Sequence, residues 1–475
     1  MTGTAARQPL MPTLATISLA AVAAALCVGA WIEQDYAALA IVLATLPLPV
    51  AIFATLQALN WNGRYAFYLG IAVIVLQCAN LRVRDIDDKS IDGQILIKLA
   101  CIALMTVMAA TGMLKRAPVR QPADIVLWVL FLIYQILTSF ISLQPQTALV
   151  ETFSNLAAFL FLYHFARLLG ADNLVKALIA ACFILCVVSI AAYFLVPQLG
   201  RMSDWVNGAF VPTSRLQGVL GTANGAGAAA AIGILLTALL SGIPWRRPLF
   251  WVLVLPFAFC LVMSNNRMSL VAMGLAFAYV YLVRGQVGAK LTVGLLVASI
   301  GLLVFASFGD ALLSSVSRSG SAEEITSGTG RTRIWAVVLE LWTEQPLFGY
   351  GAGSAKFILP HHPLLFAAAA HAHNLYLNIL FAGGAIGLVL FMLSLGATLR
   401  RLWSERAHAI IALLIFVLIY GLTEPTIGGL VAYLPISFFS IAFLSLARRQ
   451  GRPKPAGPRA SRSPFRFDDP GGVPA

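Results

Sequence analysis

Charge is what this 475-residue chain has least of. Only 11% of its residues are Asp, Glu, Lys or Arg, against 60% hydrophobic, and the mean hydropathy is +0.86. Soluble domains carry roughly 25% charged and 45–50% apolar residues, so a water-soluble globular protein is excluded. Acidic residues are the scarcer sign, 19 against 32 Lys and Arg. Cysteine is also scarce. Cys27, Cys78, Cys101, Cys182, Cys186 and Cys260 all lie inside apolar stretches. With none in a loop, a disulfide framework and a thiolate metal site are both excluded. Cys182 and Cys186, four apart on one expected helix, read as small core residues.

What is present is a series of about fourteen apolar stretches of spanning length. They begin near Leu14, Ala37, Tyr65, Ile95, Ile125, Ala148, Leu174, Thr222, Pro248, Met268, Leu291, Asn374, Ala409 and Gly428. The expected fold is an all-α polytopic membrane protein of about 12–14 transmembrane helices, with one long polar loop containing an amphipathic helix. The first stretch is alanine-rich like a signal-peptide core, but no cleavage pattern with a mature soluble domain follows, so it is kept as a span. Domain expectations are N-terminal transmembrane helices over 1–306, a periplasmic loop over 307–373, C-terminal transmembrane helices over 374–447 and a disordered cytoplasmic tail over 448–475.

The net charge of +13 invites a nucleic-acid reading, but its placement argues for membrane orientation. Much of it lies in the tail around Arg448, Arg449, Arg452 and Lys454 and in short loops between spans. Basic residues mark the cytoplasmic side and meet anionic headgroups; no nucleic-acid partner is expected, only membrane lipids. An even span count with that tail inside puts both termini in the cytoplasm. Lys115, Arg116, Arg167, Arg246, Arg247, Arg284, Lys290, Arg400 and Arg401 then fall inside as well.

The residues left outside are the informative ones: Arg82, Arg84, Arg201, Arg215, Arg267, Arg331, Arg333, His361, His362, His371, His373 and Glu424. Arginines against the orientation rule at the hydrocarbon edge are costly unless paired or working. Singly, each is as well explained as a headgroup anchor or structural ion pair; together on one face they suggest function. Asp85, Asp87 and Asp88 share an outside loop and read as surface charge. Glu424, before Pro425, either orients a histidine, pairs with an arginine, binds a substrate hydroxyl, or is merely a solvated loop carboxylate.

Within the long polar stretch 307–370, Ile334, Val337, Val338 and Leu341 fall at i, i+3, i+4 and i+7, predicting an amphipathic helix over 331–345. Pro346 ends it, and Gly349, Gly351 and Gly353 read as a flexible turn. The helix is expected on the membrane surface, apolar face down. Its free N–H groups and the side chains of Arg331 and Arg333 would then make a diphosphate site. The alternative is a packing helix with no ligand. His371 and His373, two apart, would point to different sides of a helix, so one would reach substrate while the other caps or orients. An imidazole titrates near neutrality and suits a general base.

These motifs resemble a known family. His373-Asn374, nine residues, Gly384, two residues and Gly387 is similar to the histidine motif of the O-antigen ligases. Gly330-Arg331-Thr332-Arg333-Ile334-Trp335 with Pro346-Leu347-Phe348-Gly349-Tyr350-Gly351 resembles the segment shared by ligases, Wzy-type polymerases, exopolysaccharide polymerases and protein O-oligosaccharyltransferases. Arg215 with its following Gly/Asn run and Asn266-Arg267 also resemble family positions. The resemblance implies a GT-C-like helical fold, a polyprenyl-diphosphate-linked glycan donor, no cofactor and no metal requirement. In that picture His373 activates the acceptor hydroxyl, and Arg215, Arg267 and Arg331 or Arg333 stabilise the departing diphosphate. His371, Asn374 and Glu424 are the remaining substrate-binding candidates.

The leading expectation is a glycosyltransferase at the periplasmic face of a bacterial inner membrane, acting in cell-surface polysaccharide assembly. A ligase onto lipid A–core comes first, a polymerase joining O-antigen or exopolysaccharide repeats to a growing chain second. The non-enzymatic rival, a transporter or flippase of an anionic lipid-linked glycan, calls for paired halves and mid-membrane ionisable groups, which the sequence does not display.

Overall fold

The apolar runs fold as helices because a backbone in hydrocarbon must satisfy its own N–H and C=O groups. The computed structural model describes residues 55–82, 92–115, 121–206, 209–284, 331–365 and 370–445. Its main elements are α1 (Gly63–Cys78), α2 (Gly93–Lys115), α3 (Ala123–Thr138), α4 (Pro145–Leu169), α5 (Ala171–Leu195), β1 (Arg201–Val206), β2 (Ala209–Leu216), α6 (Ala223–Leu239), α7 (Pro248–Met263), α8 (Arg267–Arg284), α9 (Arg331–Glu344), α10 (Leu375–Ser404), α11 (His408–Tyr420) and α12 (Tyr433–Leu444). Among the described residues, five helical segments are long and apolar enough to cross a membrane: α2, α3 with its 3₁₀ extension, α4, α5 and α10. Shorter apolar helices α1, α6, α7, α8, α11 and α12 stand where further spans are expected. The spans expected from Leu14, Ala37 and Leu291 lie outside the described residues, as do the tail and residues 307–330.

The molecule is thus an all-α polytopic membrane protein, with one addition that the hydropathy pattern hides. After α5 the chain makes an antiparallel hairpin, β1 pairing with β2. Large apolar side chains remain exposed on the helix surfaces, among them Leu114, Leu195 and Val262, as expected where lipid rather than water is the neighbour.

Helix α6 sits deep in the bundle because its sequence is nearly all small. Ala226, Ala228, Ala230 and Ala231 are fully covered, and a Cβ on Gly227 would lie 2.5 Å from Ser264 Oγ and 2.6 Å from Asn266 Cβ. Small residues let membrane helices approach closely; here they bring the turn before α8 against the start of α6. Helices α3 and α10 are joined by Trp128, whose ring meets Phe131, Phe391 and Phe438 edge-on and whose Nε1 donates to Thr398 Oγ1 at 3.0 Å. Nearby, Arg401 forks onto the buried Asp124 carboxylate, Nη2 to Oδ2 at 2.6 Å, and also donates to Ala442 O and Ser445 Oγ. Desolvating this pair is tolerable only because almost every donor finds an acceptor.

Helix α10 is broken. Gly384 has φ 61° and ψ −164°, a region essentially reserved for glycine. The break strands backbone groups in a region with no water to take them. The segment Pro346–Gly351 takes them instead: Tyr350 and Gly351 N–H donate to Phe381 O and Ala382 O (2.9 and 3.0 Å), while Ala385 and Ile386 N–H donate to Pro346 O and Leu347 O (2.9 and 3.3 Å). The Tyr350 ring stacks on Phe381 at 4.9 Å. The glycine-rich turn expected to be flexible is therefore clamped, and the two motifs far apart in sequence are two halves of one backbone repair.

The amphipathic period of α9 is real, but its apolar face is not laid on lipid. Ile334, Val337 and Val338 are buried against Leu359, Ala372 and Phe381 in a small core of their own. Protein covers this face, because the clamp at Gly384 pulls the loop back onto α10.

Two changes test these joints. Gly384→Ala would set a Cβ 2.2 Å from Leu347 O in a backbone region costing about 1–3 kcal/mol. The detergent-solubilised protein is expected to unfold at clearly lower temperature, with the 346–351 segment newly open to protease. Asp124→Ala strands Arg401 and is expected to cost about 3–5 kcal/mol; adding Arg401→Met should recover most of it. A double variant no more stable than the single would show the pair is not the source of the loss.

Candidate functional site

The site is assembled around one carboxylate. Glu424 follows α11 in the chain and is only 9% exposed, so it is not the solvated loop acid its position before proline suggests. Three groups donate to its Oε1: Asn224 Nδ2 at 2.7 Å, Arg331 Nη2 at 2.8 Å and His373 Nδ1 at 3.3 Å. They come from the first turn of α6, the first residue of α9 and the turn before α10.

Asn224 is itself held from all sides. Its carbonyl accepts from Asn266 Nδ2 at 2.8 Å and Tyr420 OH at 3.1 Å, and its Oδ1 accepts from Arg215 Nη2 at 3.1 Å. Arg215 also donates from Nε to Ser264 O at 3.2 Å and lies buried. Thr222 caps α6 by accepting from Gly225 N–H at 2.9 Å. A chain of contacts thus runs from Arg215 through Asn224 to Glu424, and from there to Arg331 and His373. Asn266 and the Gly/Asn run holding Asn224 stood only as family-like positions, and Tyr420, the last residue of α11, carried no sequence signal.

His371 and His373 are not splayed on a helix. Helix α10 begins only at Leu375, and His373 takes φ +46°, a left-handed conformation uncommon outside glycine and typical of constrained sites. The tight turn brings the two rings to 4.0 Å and lets the His373 N–H donate to His371 Nδ1 at 3.2 Å. Because a backbone N–H can only donate, His371 Nδ1 is unprotonated and its proton sits on Nε2. His373 is the reverse. Its Nδ1–H faces a carboxylate, leaving Nε2 as the open lone pair. Trp335 Nε1 fixes the same turn by donating to Ala372 O at 3.0 Å.

Asn374 has its side chain committed to structure. Its Oδ1 accepts from Tyr376 and Leu377 N–H, capping α10, and its Nδ2 donates to Leu422 O at 3.2 Å. Arg267 opens α8 directly after Asn266, and Arg333 lies exposed on the first turn of α9. Among the described residues, neither donates to Glu424, Asn224 or His373.

Burial alone would raise the Glu424 carboxyl. The hydrogen bond from His373 and the charges of His373, His371 and Arg331 outweigh it and hold the carboxyl below its ordinary 4.5. Burial, then the neighbouring His373, pushes His371 down to about 4 from 6.5, with Glu424 opposing and Arg331 adding to the fall. Ligand atoms of His371, His373 and Glu424 lie within 4.8 Å of one another, close enough for a shared cation. Such an ion would have to displace Arg331 from Glu424 Oε1 and then sit beside a guanidinium, while His371 Nδ1 is already taken. The donor set suits a charge-relay cluster that meets an anion better than a metal cage.

Both shifts give the same sign of pH dependence. His371 is neutral in the fold, so its protonation favours unfolding, and that penalty grows as pH falls from about 6.5 towards 4. The paired Glu424 carboxylate stabilises the fold above 4.5 and loses that contribution as pH falls through its lowered value. Thermal unfolding in detergent is expected to be insensitive to these groups above pH 7 and to drop on acidification, with His371→Gln flattening the 6.5-to-4 portion. An unchanged slope in His371→Gln would show that the histidine is not the titrating group.

Two comparisons bear on this arrangement. A family model described as O-antigen ligase matches residues 251–392, which contain Arg267, Arg331, Arg333, His371, His373 and Asn374 but neither Arg215 nor Glu424. A 98-residue stretch is 35% identical to a Pseudomonas aeruginosa protein named O-antigen ligase, covering 20% of this chain and 24% of that protein. The aligned stretch thus spans only about a quarter of the relative. The matched segment, which holds the histidine turn and Gly384, and the helical membrane fold support a likeness to the O-antigen ligase superfamily.

Proposed function

We propose that this protein is a metal-independent glycosyltransferase that moves a glycan from a polyprenyl-diphosphate donor to an acceptor hydroxyl at the periplasmic face of a bacterial inner membrane. The observation that carries this reading is the shared Glu424 oxygen, which orients His373 and holds Arg331 in one network. His373 Nε2 takes the acceptor's proton as its oxygen bonds to the anomeric carbon. The bond from that carbon to the diphosphate oxygen breaks, and the electron pair leaves with the diphosphate. Arg331 meets the developing charge with bidentate donors. Arg215, buried behind Asn224, adds positive potential and fixes that residue. Arg267 and Arg333 stand at the entrance of the same face and suit the donor's outer phosphate. Glu424 keeps the proton of His373 on Nδ1, so that Nε2 faces the substrate as base.

Lipid A–core is the acceptor this reading favours, since both the matching family model and the Pseudomonas aeruginosa relative carry the ligase name. A polymerase joining repeat units would use the same residues with a growing polysaccharide as acceptor.

The test is a lipopolysaccharide gel and a membrane transfer assay in a deletion strain complemented with variants. Deletion is expected to remove the whole ladder and leave lipid-linked polymer. Core bearing a single repeat would instead mark an O-antigen polymerase, and an intact ladder an exopolysaccharide enzyme. His373→Ala is expected to lower transfer by about 10²–10⁴ and Arg331→Ala by about 10²–10³. Full activity in His373→Ala would remove the imidazole from the reaction.

A further inference from the structure

Behind the histidine turn lies a cavity of about 230 Å³ between α3, α4, α10 and the loops after α9 and α11. That is several times the roughly 30 Å³ share of one water. Its chemistry differs from that of the arginine network. Among the described residues no arginine lines it, and the one lysine that does, Lys356, is neutralised by Glu151 at 2.5 Å. Three amide side chains from three helices line it: Gln135, Asn155 and Asn378. Among the described residues, Gln135 Nε2, Asn155 Oδ1 and Asn378 Oδ1 are buried without a hydrogen-bond partner. Asn155 is only 4% exposed, and its Nδ2 is already spent on Glu151 O and Gly429 O. Leaving such groups unmet is costly, and all three belong to residues that line this one space.

We propose that this cavity is a subsite for a neutral sugar ring, recognised through its hydroxyls by Gln135, Asn155 and Asn378. The proposal rests on the glycosyl-transfer reading above. A hydroxyl is both donor and acceptor, so one ring can satisfy an unmet N–H and two unmet carbonyls at once. Ala355, Ala382 and Pro425, all partly exposed, supply an apolar wall for the ring's C–H face. A diphosphate does not fit, since the space offers no uncompensated positive charge. His371 belongs to both regions: it lines the cavity, and its ring lies 4.0 Å from that of His373. A ring in the cavity therefore stands next to the histidine turn, while Arg331 meets that turn through Glu424 Oε1. The ring has two sources, the acceptor's terminal sugar or the donor's first sugar.

The first test is saturation-transfer NMR on the purified full-length chain in detergent, with free glucose, galactose, mannose and N-acetylglucosamine as probes. Ring-proton signals are expected with wild type and equally with His373→Ala. They should be lost in the doubly substituted Gln135→Met, Asn378→Leu protein and in Ala355→Phe, which fills the space, provided each unfolds at the wild-type temperature. Silence from every sugar with wild type, or equal signals in wild type and Ala355→Phe, overturns the subsite. The second test separates the sources in the membrane transfer assay by varying each substrate in turn. Gln135→Met is expected to raise KM roughly 3–10-fold, the loss of about one neutral hydrogen bond, for the acceptor if it supplies the ring, or for the donor if that does. An unchanged KM for both overturns the proposal. Failure of the underlying reading is seen separately, as undiminished transfer by His373→Ala.

Discussion

One buried carboxylate oxygen organises the polar end of this molecule. Glu424 Oε1 receives Asn224, Arg331 and His373, groups that lie 200, 93 and 51 residues away from it in the chain. An acid so deeply covered is stable as an anion only because its donors outnumber what burial takes away. The same electrostatics fix the orientation of the imidazole, hold the Arg331 guanidinium beside it and join α6, α9 and the start of α10 to the loop after α11. Neutralising Glu424 would release all of these at once, so the His373 imidazole and the Arg331 guanidinium are coupled through it.

The carboxylate depends in turn on how α10 is built. A straight helix from Leu375 would leave the Pro346–Gly351 segment without partners, and α9 would lose the wall that Phe381 provides. The break at Gly384 creates unmet backbone groups, and the loop is drawn in to meet them. That attachment carries α9 into place and with it Arg331. A defect in one helix thus becomes the anchor that holds Arg331 at Glu424, a use of discontinuous membrane helices that is open only where protein covers the exposed backbone.

Much of this was legible beforehand. Long apolar runs announce membrane helices because hydrocarbon tolerates little else, and the helices α1–α8 and α10–α12 stand where those runs stand. The amphipathic period over Ile334, Val337, Val338 and Leu341 identified α9, and two of the arginines singled out, Arg215 and Arg331, stand in the network around Glu424. Less legible was what the apolar face of α9 touches, since periodicity says that a stripe is covered but not by what. The hairpin β1–β2 escaped because six and eight residues of mixed polarity resemble a loop. The histidine spacing misled because a helical angle was assumed for a turn in which His373 takes a left-handed backbone.

By itself the sequence determined the membrane class, the helical periods, the positions of the breaks and the residue types available for chemistry, because each is a local property of side-chain polarity and backbone preference. Only the tertiary structure decided that Glu424 lies beside His373 and Arg331, that Asn224 shares its charge, and that the glycine motif repairs a helix. Those facts depend on contacts across long sequence separations, where packing and the need to satisfy every buried polar group choose the partners and no local pattern records the choice.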